Sequence, residues 1–308
     1  MLKRASVRAR LLRLCARQLI KRRSRYETLT QTRQRVRYLE RLIPAPPRGT
    51  DIRTIDARGL DADYITTPAS RPDRYVLYFH GGAYRIGSRS LSRHFTWRIA
   101  LAAQARLVAI DYRLAPEHPF PCAVEDAVSS YRWLLANGGA SRRIVVVGES
   151  SGGGLALALL LKLRDSGLPL PAAAVALSPW TDLALTGATL VTKAAADPIL
   201  NAEHLPLFAQ DYLAGADPHH PYASPLYGNL RGLPSILIQV GSDEILLDDA
   251  TRMAEKLRIA KSPVELQVWP GMFHVWHLFV PLLPEAHDAI EQIGKFVQRT
   301  LAPAAAER

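Results

Sequence analysis

Ile144-Val145-Val146-Val147-Gly148-Glu149-Ser150-Ser151-Gly152-Gly153-Gly154-Leu155-Ala156-Leu157-Ala158-Leu159-Leu160-Leu161 reads as an apolar strand, a tight turn and an apolar helix, with a serine at the turn. Glycines two before and two after Ser150 suit such a turn, because an exposed side chain on a strained strand-to-helix elbow leaves no room for bulk beside it. Ser150 would stand at the head of the helix, whose unpaired N–H groups favour negative charge. Three defined positions in five recur by chance, so the flanking strand and helix carry most of the weight.

Working outward, apolar runs alternate with helical segments. Asp51 to Ala57 and Ala62 to Thr66 read as a hairpin around Gly59. Tyr75 to Phe79, Leu107 to Ile110, Ile144 to Val147, Ala172 to Leu177, Ile236 to Val240 and Val264 to Val268 follow, mostly apolar throughout, as strands buried on both faces should be. The pattern predicts an α/β fold with a mainly parallel central sheet flanked by helices. Nearly sixty residues separate Leu177 from Ile236, too many for a simple crossover, with helical potential around Glu203 to Leu213. The expected organisation is an N-terminal helical cap segment over 1–48 and a catalytic domain over 49–308, with a cap insertion at about 181–224.

A serine nucleophile needs a base, and the base needs an acid to orient it. In a parallel sheet these groups should follow the carboxyl ends of later strands. Asp243 stands three residues after the strand ending at Val240, with Glu244 as its nearest competitor. Asp248 and Asp249 fall in the following helical stretch and are expected to be exposed. His274, in Pro270-Gly271-Met272-Phe273-His274, follows the strand ending at Val268; His277 lies three residues further, in a segment that already reads as helical. The order Ser, Asp, His is that of hydrolases built on such a sheet. His80-Gly81-Gly82-Ala83-Tyr84 follows another strand directly, and the N–H groups of Gly82 and Ala83, with that of Ser151, are the candidate donors to a developing oxyanion.

The His80 to Tyr84 stretch, the string Asp111-Tyr112-Arg113-Leu114-Ala115-Pro116-Glu117-His118-Pro119-Phe120-Pro121, the serine elbow and Gly271-Met272-Phe273-His274 together resemble the bacterial hormone-sensitive lipase family of α/β-hydrolase esterases. The resemblance runs from about residue 50 to 300. It implies hydrolysis of short- to medium-chain carboxylic esters beneath a cap, with no cofactor and no metal. It carries over Ser150 as nucleophile, Asp243 as acid, His274 as base and His80-Gly81-Gly82 as the oxyanion loop, so that Gly81 joins the oxyanion group. Two departures stand out. Ala83 occupies the last position of a common His-Gly-Gly-Gly, and Glu149 and Ser151 replace Asp and Ala in the common Gly-Asp-Ser-Ala-Gly. Ser151 is expected to act through its N–H, its hydroxyl packing without a role. Arg113, Glu117 and His118 are expected to satisfy the backbone of a proline-rich turn.

Trp180, Leu183, Leu185, Leu205, Leu207 and Phe208, with Tyr84 near the oxyanion loop, are candidates for the substrate pocket. His219 and His220 beside Asp217 read as solvated loop residues. A lactone or amide hydrolase would need the same triad, and a non-catalytic ligand-binding protein on this fold would lack part of it.

The formal charge of +11 is local. Residues 1–25 hold ten Lys or Arg and no acid, leaving 29 basic against 28 acidic residues in the rest of the 308-residue chain. The near-neutral body argues against a nucleic-acid partner. Ala5, Ala9, Leu12, Ala16 and Leu19 recur at helical spacing among the arginines, a stripe that suits packing on the body, or peripheral membrane contact by a membrane-associated lipase. Two cysteines, Cys15 and Cys122, suggest neither a metal site nor a disulfide framework, and Arg13 and Arg17 interrupt any secretory apolar core. The expected location is cytoplasmic, with peripheral membrane association as the variant. The expected partner is a small-molecule ester, and nothing in the sequence argues against a homodimer.

Overall fold

The structure is a computed structural model that describes residues 5–22 and 27–302. Of the basic N-terminal residues, Lys3, Arg4, Arg23 and Arg25 lie outside the described residues. The chain opens with helix α1 (Val7–Ala16), capped by the Ser6 hydroxyl, which accepts from Ala9 N–H, and continued by a wider π-helical turn over Arg17–Lys21. Helix α2 (Leu29–Glu40) begins with a reciprocal cap in which the Thr28 side chain accepts from Gln31 N–H and the Gln31 side chain accepts from Thr28 N–H.

The strands are β1 (Asp51–Asp56), β2 (Asp61–Thr66), β3 (Arg71–Phe79), β4 (Ala105–Ile110), β5 (Ile144–Glu149), β6 (Ala173–Leu177), β7 (Ser235–Gly241) and β8 (Val264–Trp269). They form one sheet in the order β1-β2-β4-β3-β5-β6-β7-β8. β1 and β2 make the expected hairpin, β2 is antiparallel to β4, and every later pairing is parallel. Helix α3 (Arg89–Ala103) links β3 to β4, α4 (Cys122–Ala136) links β4 to β5, and α5 (Ser151–Asp165) links β5 to β6. Helices α6 (Thr189–Thr192) and α7 (Leu205–Leu213) occupy the long interval before β7. Helix α8 (Leu247–Ile259) joins β7 to β8, and α9 (Pro284–Thr300) closes the chain.

Side chains alternate across the sheet with period two. Leu77, Phe79, Val146 and Ile238 pack with α4, α5 and α8, while Val76, Tyr78, Val145 and Leu237 pack with α3 and α9. Both faces are covered, which is why the central strands read as unbroken apolar runs. The carboxyl ends of β3, β5, β7 and β8 then point the segments after them to one edge of the sheet, where the candidate residues meet.

Candidate active site

Strand β5 delivers Ser150 into a backbone conformation of φ +55°, ψ −122°, from which α5 starts at Ser151. That conformation is one that L-residues rarely adopt, and it turns the side chain out of the sheet. Close approach explains the flanking glycines. A Cβ on Gly148 would sit 2.0 Å from the Gly152 carbonyl oxygen, and one on Gly152 would sit 2.2 Å from that of Phe79. The Ser150 backbone is held independently of its side chain: its N–H donates to the Leu177 carbonyl, and its own carbonyl accepts from Gly154 and Trp180 N–H.

His274 Nε2 lies 3.0 Å from Ser150 Oγ, and His274 Nδ1 lies 3.1 Å from Glu244 Oε2. The carboxylate that meets the imidazole is therefore Glu244, and the expectation of Asp243 is corrected. Asp243 faces the other way, with its Oδ2 2.5 Å from Arg13 Nη1 of α1, and its side chain is 23 % exposed against 0 % for Glu244. Glu244 Oε1 accepts from Gly241 N–H, so its two oxygens are separately engaged. Burial by itself would lower the His274 pKa, but the hydrogen bond and charge of Glu244 outweigh it and raise the imidazole above its ordinary value. His277 is buried away from the serine, with its Nε2 2.9 Å from Gln239 Oε1.

The segment after β3 turns sharply, with Gly82, Ala83 and Tyr84 all at positive φ. Gly82 and Ala83 line a cavity with Ser150 and His274. Neither N–H has a hydrogen-bond acceptor among the described residues. Gly81 is different: its N–H donates to Glu149 Oε1 at 2.6 Å and so is not aimed at a ligand, which corrects its inclusion as an oxyanion donor. The Ser151 hydroxyl also has a task that the sequence did not reveal, accepting from Tyr84 N–H at 3.2 Å and tying the loop to the first turn of α5.

Glu149 itself is a fully buried carboxyl between Gly81 N–H, the Tyr78 hydroxyl and the cavity. Burial pushes its pKa up to about 7, against the opposing pull of the Gly81 hydrogen bond and the nearby His274. His80 is held by stacking on Tyr112, with ring centroids 4.4 Å apart, and burial lowers its pKa against the opposing charge of Asp111.

The cavity beside Ser150 has a volume of about 450 Å³ and a mostly apolar lining. Trp180, Leu205 and Phe208 belong to it as expected. Tyr84 and Leu183 do not. Tyr84 stacks on Tyr212 at 3.7 Å, and Leu183 is packed where its N–H meets Ser224 Oγ, so both are buried in the core. Leu185 also lies outside the lining, and Leu207 is half exposed. The lining residues that sequence reasoning missed include Ile20, Val36 and Leu39 of the N-terminal segment, Ile86, Leu91 and His94 after β3, and Ile199, Leu246 and Leu278.

Polar residues around the site hold its frame. Asp249 is buried rather than exposed, and its carboxylate accepts from Thr181 and Asp182 N–H. Asp197 accepts from Ile245 N–H, next to Glu244, and from Ile199 and Leu200 N–H, coupling the interval before β7 to the acid-bearing turn. Arg113 grips Asp126. Glu117 reaches beyond its own turn to Arg33 of α2, which also donates to the Ala115 and Arg85 carbonyls. Among the described residues no group of His, Cys, Asp and Glu side chains is arranged to hold a metal ion.

A buried imidazole between a carboxylate and a hydroxyl, beside unpaired N–H groups and an apolar cavity, is an arrangement able to perform acyl transfer. Comparison with known proteins agrees in kind. The family defined by the alpha/beta hydrolase fold matches residues 76–278. An acetyl-hydrolase of Streptomyces hygroscopicus is 50 % identical over 231 residues, covering 75 % of this chain and 77 % of its own. An esterase of Acinetobacter venetianus is 36 % identical over 257 residues, covering 83 % and 84 %. The crystal structure of an esterase from the bacterial hormone-sensitive lipase family superposes with a TM-score of 0.91 at 41 % identity, over 98 % of this chain and all of that one. Sequence similarity and structural superposition extend over nearly the whole length, and the chain belongs to the hormone-sensitive lipase family of α/β-hydrolase esterases.

Proposed function

We propose that the protein is a serine carboxylesterase that cleaves short- to medium-chain esters through an acyl-enzyme, with Ser150 as nucleophile, His274 as base and Glu244 as the orienting acid. The observation that carries the reading is the continuous chain Ser150 Oγ, His274, Glu244, with successive contacts of 3.0 and 3.1 Å. An ionised Glu244 only accepts, so it holds the proton on His274 Nδ1 and leaves Nε2 free to take the serine proton. The serine oxygen then adds to the ester carbonyl carbon. The N–H groups of Gly82, Ala83 and Ser151 stabilise the oxyanion, and the alcohol departs with the proton from His274. Water, deprotonated by the same imidazole, attacks the acyl carbon and releases the acid. The cap is assigned to residues 1–48 and about 181–224, which place Ile20, Val36, Leu39, Leu205 and Phe208 over the cavity. The cavity volume of about 450 Å³ suits a small apolar acyl or alcohol group.

The test is pre-steady-state hydrolysis of p-nitrophenyl esters of increasing acyl length. A burst of one p-nitrophenol per enzyme molecule, with kcat/KM falling beyond medium chains, is the expected result. A matched panel of ester, lactone and amide substrates separates the rival hydrolases that use the same triad. No burst and no ester turnover would remove the proposal, and ligand binding without turnover would favour a binding protein.

Glu149 gives a sharper check on the oxyanion loop. Glu149→Ala removes the acceptor that holds Gly81, so the loop loses its aim and kcat should fall about a hundredfold with little change in KM. Glu149→Gln keeps a carbonyl acceptor for Gly81 N–H and should remain within about tenfold of the parent. Steady-state kinetics of the two variants decide it; equal losses would exclude the anchoring role.

A further inference from the structure

Helix α1 carries apolar residues on two faces. On the inward side Ala9 and Ala16 are buried, Leu12 packs on the core, and Ala5, just before the helix, lies against Gly271 of the histidine loop. Three other large apolar residues point outward. Val7, Leu11 and Leu14, spaced four and three apart on one helical face, are 70 %, 59 % and 63 % exposed. Leu19 of the expected packing stripe is likewise exposed.

Polar anchors reinforce the packing of Ala9 and Leu12 and fix the orientation of the helix. Ser6 N–H donates to Glu285, Arg13 pairs with Asp243, Arg17 donates to the Ala195 carbonyl, and Lys21 donates to the Ala194 and Asp197 carbonyls. Those contacts engage the cations on the body side. Arg8 and Arg10, which flank the outward stripe, are exposed and make no ion pair among the described residues. Tyr38 and Leu39 near the end of α2, and Leu42 just beyond it, are also exposed, and Leu39 lines the cavity that holds Ser150.

We propose that the outward face of α1, with the exposed end of α2, seats the protein on an anionic lipid surface. The charge pattern selects this occupant. With Arg8 and Arg10 exposed beside the stripe and no acid in the first 25 residues, two copies meeting through α1 would oppose like charges, whereas an anionic headgroup layer complements them. Leucines between arginines match an interfacial helix, whose apolar side chains enter the headgroup boundary while the guanidinium groups stay among the phosphates. Because Leu39 is shared with the cavity, seating places the route to Ser150 at the lipid boundary. On the carboxylesterase reading, the substrates favoured are then esters dissolved in the bilayer. No described helix is long and apolar enough to cross a membrane, so the contact is peripheral.

The test is co-sedimentation of the full chain with vesicles of phosphatidylglycerol and phosphatidylcholine in equal parts, compared with phosphatidylcholine alone. Binding should be about tenfold or more stronger on the anionic vesicles and should weaken in high salt, where exposed charges are screened. Val7→Ser/Leu11→Ser/Leu14→Ser should reduce it at least about tenfold, and Arg8→Gln/Arg10→Gln should reduce it as well. Both variants should keep the parent's circular dichroism and its turnover of soluble p-nitrophenyl butyrate. Absence of anionic-vesicle binding, or unchanged binding by the serine variant, would overturn the proposal. So would conversion of a dimer to a monomer by that variant in size-exclusion chromatography, which would assign the face to a second copy. Sedimentation reads binding without turnover, so a failure of the esterase reading is registered separately.

Discussion

Ser150→Ala is expected to lower kcat for p-nitrophenyl butyrate by about 10⁶ while the protein keeps its fold. The loss is large because the proposed mechanism makes the hydroxyl the bond-forming group, and no second nucleophile stands within reach of His274 Nε2 among the contacts described. A residue of roughly 10³-fold over water should persist, since Gly82, Ala83 and Ser151 N–H groups would still bind a developing oxyanion. The fold should survive because the elbow is held by the Ser150 backbone through Leu177, Gly154 and Trp180, not by its side chain. Kinetics alongside circular dichroism and thermal unfolding check both halves. Turnover within about tenfold of the parent would reject Ser150 as nucleophile.

Glu244→Gln is expected to cost about 10⁴ in kcat, whereas Asp243→Asn should stay within about tenfold. The reason lies in how the two oxygens of Glu244 are used. Oε1 accepts from Gly241 N–H, so a glutamine would keep its carbonyl there and turn its NH₂ group to His274 Nδ1. A donor at that position forces the ring proton to Nε2, where it blocks acceptance of the serine proton. Asp243 contacts Arg13, so its amide would loosen α1 without touching the imidazole. The pH profile supplies an independent reading. His274 must be neutral to act, and its pKa is raised, so the acid limb of kcat/KM should lie above the ordinary histidine value of about 6.5. Glu244→Gln removes the interaction that raises it, so the limb of the residual activity should move to lower pH. If Asp243→Asn were the crippled variant and Glu244→Gln the active one, the assignment of the acid would be reversed.

The distance between Asp243 and Glu244 in sequence is one residue, and that was the resolution at which sequence reasoning stopped. Neighbouring side chains at the end of an extended strand leave it in different directions, so a choice between them is a choice of direction. Within the segment Gly241 N–H holds Glu244 Oε1 and the Ser242 hydroxyl reaches Asp243, contacts that exist only once the turn has its folded shape. That shape is fixed by Asp243 N–H bonding to the Met272 carbonyl and by Arg13, 230 residues away, drawing Asp243 outward. The same limit applies to Tyr84 and Leu183, whose apolar character suits a pocket as well as a core, and to Glu149, whose partner Gly81 is 68 residues upstream.

By itself the sequence determined what contiguous residues can encode. Unbroken apolar runs specified a sheet covered on both faces, and Gly148 to Gly152 between a strand and a helix specified the serine elbow. The placement of His274 and of the His80 to Ala83 turn just past strand ends followed from the rule that a parallel sheet gathers its functional groups at one edge. Tertiary structure alone decided which carboxylate turns inward, which N–H of the glycine turn is already taken, which residues of the N-terminal helices and the long interval before β7 line the cavity and which face of α1 is left outside. Each of these depends on the direction of a side chain or an N–H relative to partners far along the chain. The period of a local pattern can say that a helix has two faces, but only the packed molecule says which one meets solvent.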